Sequence, residues 1–440
     1  MSTPGTRSLN PFHGLTKPGR RAFLAAGIGW GLDGFDWTMY SFALAAIMTS
    51  LDLTLADAGY IATAALIASA IGGVVGGLLA DRFGRTRVLT FVILGYALTT
   101  AMTSTSQDGT QMAIWRTLQG FAFGSEWAVG AALLAEYAKP ETRGRLMGVL
   151  QSCYALGWAA STAAYLALFS VLPNNSAWRW LFAIGALPAL AAFFVRRHTH
   201  DNVEPTATPY RRSIAGLFTR RQAKITILAM LLGVAVQGIY YSVFIYLPLF
   251  LKTVRHLSII GTASYTWAAV AGSFLGYALA GYLHDAIGRR RAFSLYFLGA
   301  AAAIALFTKM PVSGTMMGLS ITFLLGFFAS GQAAGLGAYL AELFPTAIRA
   351  TGQGFAYNVG RGLAAAAPTA VATASGSLGL ANSILLIGCI AATLGLLVVW
   401  TLPETKGLAI RSQATSAPAE SRAVTARPDL DHNVTISRHV

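Results

Sequence analysis

The sequence predicts an all-α membrane protein with twelve transmembrane helices in two six-helix repeats. Of the 440 residues, 55% are hydrophobic and only 11% are charged, which leaves too little polar surface to cover a soluble globule of this size. Apolar stretches long enough to cross a bilayer recur along the chain, and clusters of Lys and Arg separate them. Short motifs of the first half return in the second half.

Twelve stretches have the length and apolar character of membrane-spanning helices. They are 22–48, 58–80, 88–106, 110–137, 145–171, 178–196, 223–251, 260–283, 292–309, 314–342, 350–374 and 379–401. The polar segment 197–222 separates six of them from the other six, which predicts an N-terminal bundle (22–196) and a C-terminal bundle (223–401) joined by a cytoplasmic loop. Residues 1–21 are expected to form a cytoplasmic tail, and residues 402–440, rich in Ser, Thr, Ala and Pro, a disordered cytoplasmic tail.

The positive charges predict the orientation of the chain. The net charge of +15 could indicate nucleic-acid binding, but the cations are clustered between apolar stretches, as the positive-inside rule describes. One side receives clusters such as Arg82, Arg85 and Arg87, while the other holds mostly residues such as Asp52 and Asp57. We therefore expect a multi-pass protein of the inner membrane with both termini in the cytoplasm, the lipid bilayer as its surroundings, and no nucleic-acid partner.

A motif that follows the second predicted span returns after the eighth. Residues 77–87 read Gly-Leu-Leu-Ala-Asp-Arg-Phe-Gly-Arg-Thr-Arg, and residues 281–291 repeat their Gly, Leu, Asp, Gly and Arg at identical spacing. Ala135-Glu136 followed by Arg143 recurs as Ala341-Glu342 followed by Arg349. Two matches at nearly one offset predict parallel six-helix repeats, an arrangement that places a transporter's substrate site near the midplane between the halves.

These motifs resemble the major facilitator superfamily, whose signature is Gly-x-Leu-x-Asp-x-x-Gly-Arg after helices 2 and 8. Within it, the run from Arg116 to Trp127, Arg-Thr-Leu-Gln-Gly-Phe-Ala-Phe-Gly-Ser-Glu-Trp, resembles the metabolite:proton and sialate/lactate:proton symporters. The resemblance covers residues 20–402. It implies a secondary transporter rather than an enzyme, with uptake driven by a proton moving in the same direction.

Two carboxylates lie in the middle of the first predicted span. Asp33 and Asp36 are spaced i, i+3 and therefore share one helix face with Trp37 and Tyr40. Acidic residues at membrane depth usually mark an ion or substrate path. Two carboxylates this close in a dry site cannot both ionise easily, so one of them is expected to bind a proton near neutral pH. Alternatively, one Asp hydrogen-bonds the backbone at a helix break near Gly31 or Gly34.

The fourth predicted span carries two further charged residues, and one of them is a candidate partner of these acids. In the relatives that this sequence resembles, the helix 4 Arg pairs with the helix 1 acid, which implies that Arg116 pairs with Asp36 until a proton releases it. The alternative is that Arg116 extends its head to water at the outer interface. Glu126 is either a second proton site or a partner in an interhelical hydrogen bond.

A single arginine lies deep in the eleventh predicted span. Arg361 follows the turn at Arg349 and Ala350 by about eleven residues, or roughly 16 Å at 1.5 Å per residue. A guanidinium near the midplane needs a carboxylate, which it can hold bidentately. We expect Arg361, aided by Tyr357 and Asn358, to bind a substrate anion; the alternative is a permanent ion pair with Asp33, Asp36 or Glu126.

Aromatic and amide side chains are expected to complete the substrate site, although plain packing is an equal alternative for those of helix 7. They are Trp37, Tyr40, Gln237, Tyr240 and Tyr241.

The repeated charged motifs predict a cytoplasmic gate of interhelical ion pairs that hold the cytoplasmic ends together. Its members are Asp81, Arg85, Glu136, Arg143, Asp285, Arg289, Glu342 and Arg349. The alternative is a set of solvated charges that only satisfies the positive-inside rule. The His and Cys residues show no metal-ligand spacing, so no metal or cofactor is expected.

The sequence therefore predicts a monomeric secondary transporter that takes up a small organic anion, a carboxylate, together with a proton by alternating access. Two other functions remain open: a proton-coupled efflux antiporter for small molecules, and a non-transporting membrane sensor of the same fold. Deep arginines argue against a cationic cargo, and the short loop and tail offer no signalling domain.

Overall fold

The structure is a computed structural model that describes residues 12, 15–83, 85–137, 143–197, 216–220, 222–310, 315–345 and 348–406. In some of the helical stretches only the backbone is described. The side chains of Asp81, Arg85, Glu126, Glu136 and Arg143, all named above as candidate functional residues, are outside the described part of the chain.

The described residues are almost entirely helical, as the sequence predicts. In chain order the helices are α1 (Lys17–Ser50), α2 (Leu55–Phe83), α3 (Arg85–Ser104), α4 (Gly109–Tyr137), α5 (Arg143–Val171), α6 (Asn174–Arg197), α7 (Ala223–Phe244), α8 (Leu247–Thr253), α9 (Ile259–Ile287), α10 (Arg289–Lys309), α11 (Thr315–Leu343), α12 (Arg349–Ala364) and α13 (Ala366–Thr401). We call the side on which α1 begins and α13 ends the terminal side of the bundle.

Six stretches of the described residues are long and apolar enough to qualify as membrane spans by length and hydropathy alone. The last of them, Thr351–Thr401, is 51 residues long and contains two of the predicted spans. The other five predicted spans, in α1, α3, α4, α6 and α9, also lie in helices of at least 20 residues. Their polar residues, including the acids of α1, lower their hydropathy without interrupting the helix.

Two helix breaks differ from the predicted boundaries and a third coincides with one, and each has a local cause. Pro248, in the first turn of α8, cannot donate to the carbonyl of Phe244, where α7 ends. Pro368 cannot donate to the carbonyl of Ala364, and α12 ends at that residue. Gly379 has φ 75° inside α13 and kinks the helix where the sequence predicts the boundary between the last two spans. A left-handed backbone of this kind favours glycine.

The packing of the helices follows the predicted repeat. In the first half α1 packs on α5, α2 on α4, and α3 on α6; in the second half α7 packs on α13, α9 on α11, and α10 on both α11 and α13. The halves meet where α2 contacts α12 and α13, and where α5 contacts α9.

Equivalent glycines bring the central helices of each half into backbone contact. A Cβ on Gly120 would overlap the carbonyl oxygen of Ala65, and one on Gly326 would overlap that of Ala269. These pairs are separated by the offsets of 206 and 204 that relate the charged motifs, as 326 − 120 and 269 − 65 show. Small residues let membrane helices approach closely, so the repeat extends from motif to packing.

Gly157 holds α5 against α1, the helix that carries Asp33 and Asp36. A Cβ on Gly157 would overlap the carbonyl oxygen of Gly31. Because backbone atoms cannot move aside as a side chain can, we expect Gly157→Ala to cost at least about 1–3 kcal/mol and to lower the melting temperature in detergent. Gly95→Ala is the matched control, since a Cβ there would meet nothing within 4 Å. An equal loss in both variants would contradict the assignment.

Residues 402–406, which the sequence predicts to be the start of the disordered tail, are instead held against the second half. The carboxylate of Glu404 accepts the backbone N–H groups of Arg289 and Arg290, at 2.9 and 3.0 Å, in the first turn of α10. Lys406 donates to the carbonyl of Ala286 at 2.6 Å. Gly288, at the beginning of α10, has φ 92°, and a Cβ there would lie 3.0 Å from Glu404. The motif glycine therefore makes room for this cap.

The cap predicts an acid-sensitive contribution to stability. Partial burial alone would raise the pKa of the Glu404 carboxyl. The hydrogen bonds from four backbone N–H groups lower this pKa by more, so it lies below its usual range. The stabilisation is therefore complete above the unfolded-state pKa of about 4.3 and is lost as the pH falls through the lower folded-state pKa. Glu404→Gln should cost roughly 0.3–1 kcal/mol at pH 7. The gap in melting temperature from wild type should close below about pH 4, and a gap that persists there would contradict the role of the charge.

Candidate functional site

Asp36 lies in a polar cluster formed within the first half. Its carboxylate accepts the hydroxyl of Thr100, on α3, at 3.1 Å and the side-chain amide of Gln119, on α4. The same amide donates to Thr100 at 2.7 Å. Arg116, also on α4, donates to Gln119 and lies 3.8 Å from the carboxylate of Asp36. The cluster is an acid and a cation joined by an amide, and it is closed to solvent.

Arg116 is buried among aromatic rings, with only 2% of its surface exposed. Its guanidinium carbon lies 4.9 Å from the ring centre of Tyr40, 5.7 Å from that of Trp37 and 5.8 Å from that of Phe182. Tyr40 donates its own hydroxyl to the carbonyl of Ala58 at 2.9 Å. Arg116 therefore does not extend to water at the outer interface, and this alternative interpretation of the sequence is wrong.

Asp33 lies one helical turn before Asp36. It is fully buried and is near enough to Arg361 of α12 to interact with it electrostatically. The cation beside Asp36 is Arg116, so the two carboxylates have cations of different halves near them. Asp36 is held by α3 and α4 in the first half, while Asp33 interacts with the second half.

Arg361 joins the two halves at their boundary. Its guanidinium donates to the hydroxyl of Ser69, on α2, at 2.8 Å, to the hydroxyl of Tyr357 at 2.9 Å and to the amide oxygen of Gln237, on α7, at 3.3 Å. It also lies 5.2 Å from the ring centre of Phe123 on α4. Arg361 is 2% exposed, so a strong cation is held in the protein interior by neutral hydroxyl and amide groups.

Aromatic rings fill the space between the two arginines. Trp37 stacks on Phe123 with ring centres 5.5 Å apart, and Tyr241 of the second half lies 6.1 Å from Trp37. Tyr241 donates its hydroxyl to Gln237 at 3.2 Å, so the aromatic residues connect to the groups that hold Arg361. In this buried stack Arg116 lies near the ring of Trp37 and Arg361 near the ring of Phe123.

Two of the predicted site residues take other positions. Asn358 donates its amide to the carbonyl of Gly354 at 2.9 Å and packs on Gly73 of α2; it belongs to the contact between halves and not to the hydrogen bonds of Arg361. Tyr240 packs against Tyr154 and Phe244, with ring centres 6.1 and 4.8 Å away.

Comparison with known proteins places this architecture in a family. The model of the Major Facilitator Superfamily matches residues 26–284, more than half of the chain, and the model of sugar and other transporters matches residues 196–416. The chain belongs to the major facilitator superfamily. It is therefore a membrane transporter and not an enzyme, as the sequence resemblance implied.

Several members of the superfamily are similar over most of this chain. A probable 4-methylmuconolactone transporter of Cupriavidus pinatubonensis is 37% identical over 89% of this chain and 92% of its own length. A cis,cis-muconate transport protein of Acinetobacter baylyi is 30% identical over 82% and 89%. The sialic acid transporter NanX of Escherichia coli is 26% identical over 92% and 98%.

A crystal structure of a D-xylose–proton symporter superposes with a TM-score of 0.72 at 21% identity, covering 88% of this chain and 99% of that one. At this identity the likeness establishes the twelve-helix fold of the superfamily and nothing about the cargo.

The superfamily signature after α9 forms an ion-pair cluster in this transporter. Arg289 donates to Glu342 through two nitrogens, at 2.7 and 3.1 Å, and to Asp285 at 2.8 Å. Thr405 also donates to Glu342. Three predicted gate residues therefore lie together on the terminal side. Arg349 begins α12 on the same side, and the four gate residues of the first half lie outside the described side chains.

Several polar residues of this transporter's site were not predicted. Gln119 could have been found, because it lies i+3 from Arg116 on the same helix face. Thr100 and Ser69 could not, since a single hydroxyl in an apolar helix usually bonds its own backbone. The aromatic Phe123 shares a helix face with Arg116 by its spacing, but the sequence does not show that it contacts Arg361.

The two halves are also hydrogen-bonded on the side opposite to the termini. Thr63 of α2 donates to the carbonyl of Ala365 at 2.6 Å and lies 2.8 Å from the hydroxyl of Thr369. Thr63 precedes Ser69 by six residues, or about 9 Å along the helix. The contact of α2 with α12 and α13 thus continues from Arg361 toward that side, and these helices do not separate there.

Proposed function

We propose that this protein takes up a small organic carboxylate together with a proton. The observation that carries the proposal is the double role of α1. On one turn Asp36 lies beside Arg116 in the first half, and on the preceding turn Asp33 is near enough to Arg361 of the second half to interact with it electrostatically. The two acids are three residues apart, or about 4.5 Å along the helix axis. One helix therefore connects a site suited to a proton with a site suited to an anion.

Arg361 has the chemistry of a carboxylate site. Its planar guanidinium can hold a carboxylate through two parallel hydrogen bonds. The groups it bonds in the structure, Ser69, Tyr357 and Gln237, are neutral. A carboxylate that displaces the Ser69 hydroxyl gives the guanidinium an anionic acceptor in place of a neutral one, and at the same time it releases a link between the halves.

Asp36 is the proposed proton carrier. A proton on its carboxylate removes the charge attraction to Arg116, while the hydrogen bonds to Thr100 and Gln119 can rearrange around the neutral acid. Because a charge in a buried site strongly affects its neighbours, loss of the negative charge on Asp36 favours a negative cargo at Arg361. By linkage, the bound carboxylate then favours proton uptake to the same degree.

The charge pattern and the relatives support a proposal for the membrane, the orientation and the oligomeric state of the transporter. We place the protein in the inner membrane as a monomer, with both termini and the central loop in the cytoplasm and with the six-helix bundles of residues 22–196 and 223–401 rocking about the site. The ion pairs of Asp285, Arg289 and Glu342 then form the part of the cytoplasmic gate contributed by the second half. Relatives named for muconate and sialic acid support an acidic cargo.

Transport by purified protein in liposomes tests the proposal. A panel of carboxylates, including cis,cis-muconate and sialic acid, is offered under an imposed inward proton gradient. At least one should accumulate above its external concentration, and a protonophore should abolish the accumulation. Absence of accumulation across the panel, or accumulation only under an outward gradient, would contradict proton-coupled uptake.

A further inference from the structure

An apolar groove runs along the outer face of α1, where α5 crosses it. Its volume is about 390 Å³, within the range of roughly 300–1,000 Å³ that small-molecule sites occupy. The floor is formed by Gly27, Gly31 and Gly157, and the walls include Leu24 and Leu156. The glycines that bring α1 and α5 together thus also leave this space open.

The groove lies on the opposite face of α1 from the transport site. At 100° per residue, Leu24, Ile28, Gly31 and Phe35 share one face of the helix, whereas Asp33 and Trp37 project on the other. Leu24 is 61% exposed and Ile28 is 48% exposed, while Asp33 is fully buried. In a membrane-spanning bundle, an exposed apolar face of this kind is in contact with lipid.

The length of the groove matches one leaflet of a bilayer. Along α1 it extends from Phe23 to Phe35, which is twelve residues or about 18 Å. Half of the hydrocarbon core of a bilayer is about 15 Å thick. A single acyl chain that enters at the terminal side would therefore end where the groove ends.

A positive charge marks the open end of the groove. Arg20 is exposed, and it precedes Leu24, Gly27 and Gly31 by four, seven and eleven residues, so it lies on the groove face one turn beyond the apolar lining. Lys17 and Arg21 neighbour it in the sequence. Basic residues at this level attract anionic headgroups of the cytoplasmic leaflet, which is the leaflet at the terminal side in the proposed orientation.

We propose that the groove between α1 and α5 binds one anionic phospholipid, with an acyl chain along Gly27, Gly31 and Gly157 and the phosphate at Arg20. The lipid rests against the back of the helix whose front carries Asp33 and Asp36. A bound chain covers the seam where the backbones of α1 and α5 meet at Gly157. The site is independent of the identity of the transported molecule.

Native mass spectrometry of the purified full-length protein tests the site with defined lipids. Phosphatidylglycerol should bind one equivalent more tightly than phosphatidylcholine of the same acyl chains. Ala160→Trp fills the groove from an exposed position of α5 and should weaken binding of both lipids at least tenfold. Leu298→Trp is the control: Leu298 is 58% exposed on α10 and outside the groove, and its variant should bind as wild type does.

The headgroup contact has a separate readout. Arg20→Gln should remove most of the preference for phosphatidylglycerol over phosphatidylcholine while the acyl chain still binds. Wild-type binding by Ala160→Trp would overturn the proposal. So would a protein dimer that Ala160→Trp dissociates, because the groove would then be filled by a second copy of the chain. An unchanged headgroup preference in Arg20→Gln would overturn the phosphate site.

Discussion

Replacing Asp36 with Asn is expected to abolish uphill uptake and to leave exchange intact. Asn has nearly the size of Asp and can still hydrogen-bond Thr100 and Gln119, but it cannot take up a proton. The accumulation ratio under an inward proton gradient should therefore fall to about one, because the cargo can then only equilibrate. Counterflow exchange of labelled cargo across liposomes of equal pH should continue.

Asp33→Asn is the matched control for this variant, since it removes the other carboxylate of α1 one turn away. It should retain uphill uptake, because Asp36 and its partners in α3 and α4 remain. Loss of exchange together with accumulation in Asp36→Asn, with the protein still folded, would assign Asp36 to cargo binding or to structure. Accumulation lost only in Asp33→Asn would assign the proton to Asp33.

Replacing Arg361 with Gln is expected to remove most of the affinity for the carboxylate. Loss of a buried, hydrogen-bonded charge partner costs about 2–5 kcal/mol, and about 3 kcal/mol corresponds to a dissociation constant raised on the order of 100-fold. Arg361→Lys keeps the charge but not the planar fork, so it should restore only part of the affinity. The shift of melting temperature with cargo concentration measures the change.

Two control variants separate this effect from damage to the fold. Arg255 is a partly buried arginine just after α8, outside the proposed cargo site, and it donates to the carbonyl of Phe307 at 2.7 Å. Arg255→Gln should leave cargo affinity unchanged. Ser69→Ala removes a neutral partner that the cargo is proposed to displace from Arg361, so this variant should not weaken cargo binding. Cargo affinity that survives in Arg361→Gln would exclude Arg361 as the anion site.

The sequence predicted the site residues best where an ionisable residue lies inside an apolar span. Asp33, Asp36, Arg116 and Arg361 stand out because ionisable groups are costly in a membrane, and the structure places all four in the interior. The repeated motifs predicted two six-helix repeats, and in the structure the glycines of α9 and α11 contact each other's backbones as those of α2 and α4 do.

The sequence could not show which acid meets which cation. Asp33 and Asp36 differ by about 60° around α1, and that small angle decides that one faces Arg361 and the other Arg116. The bridge through Gln119 and the link from Arg361 to Ser69 depend on how α2 and α4 are rotated against their neighbours. Such rotations are set by backbone contacts at glycines, which carry no side chain whose pattern could be recognised.

The central claim is that a proton and a carboxylate enter together, and a pH-sensitive dye inside liposomes measures this most directly. With no imposed pH gradient and the membrane potential clamped, a carboxylate that accumulates in the uptake assay is added outside. The liposome interior should acidify as the cargo enters, and Asp36→Asn should abolish the acidification. Cargo entry with an unchanged interior pH, or with alkalinisation, would contradict proton symport.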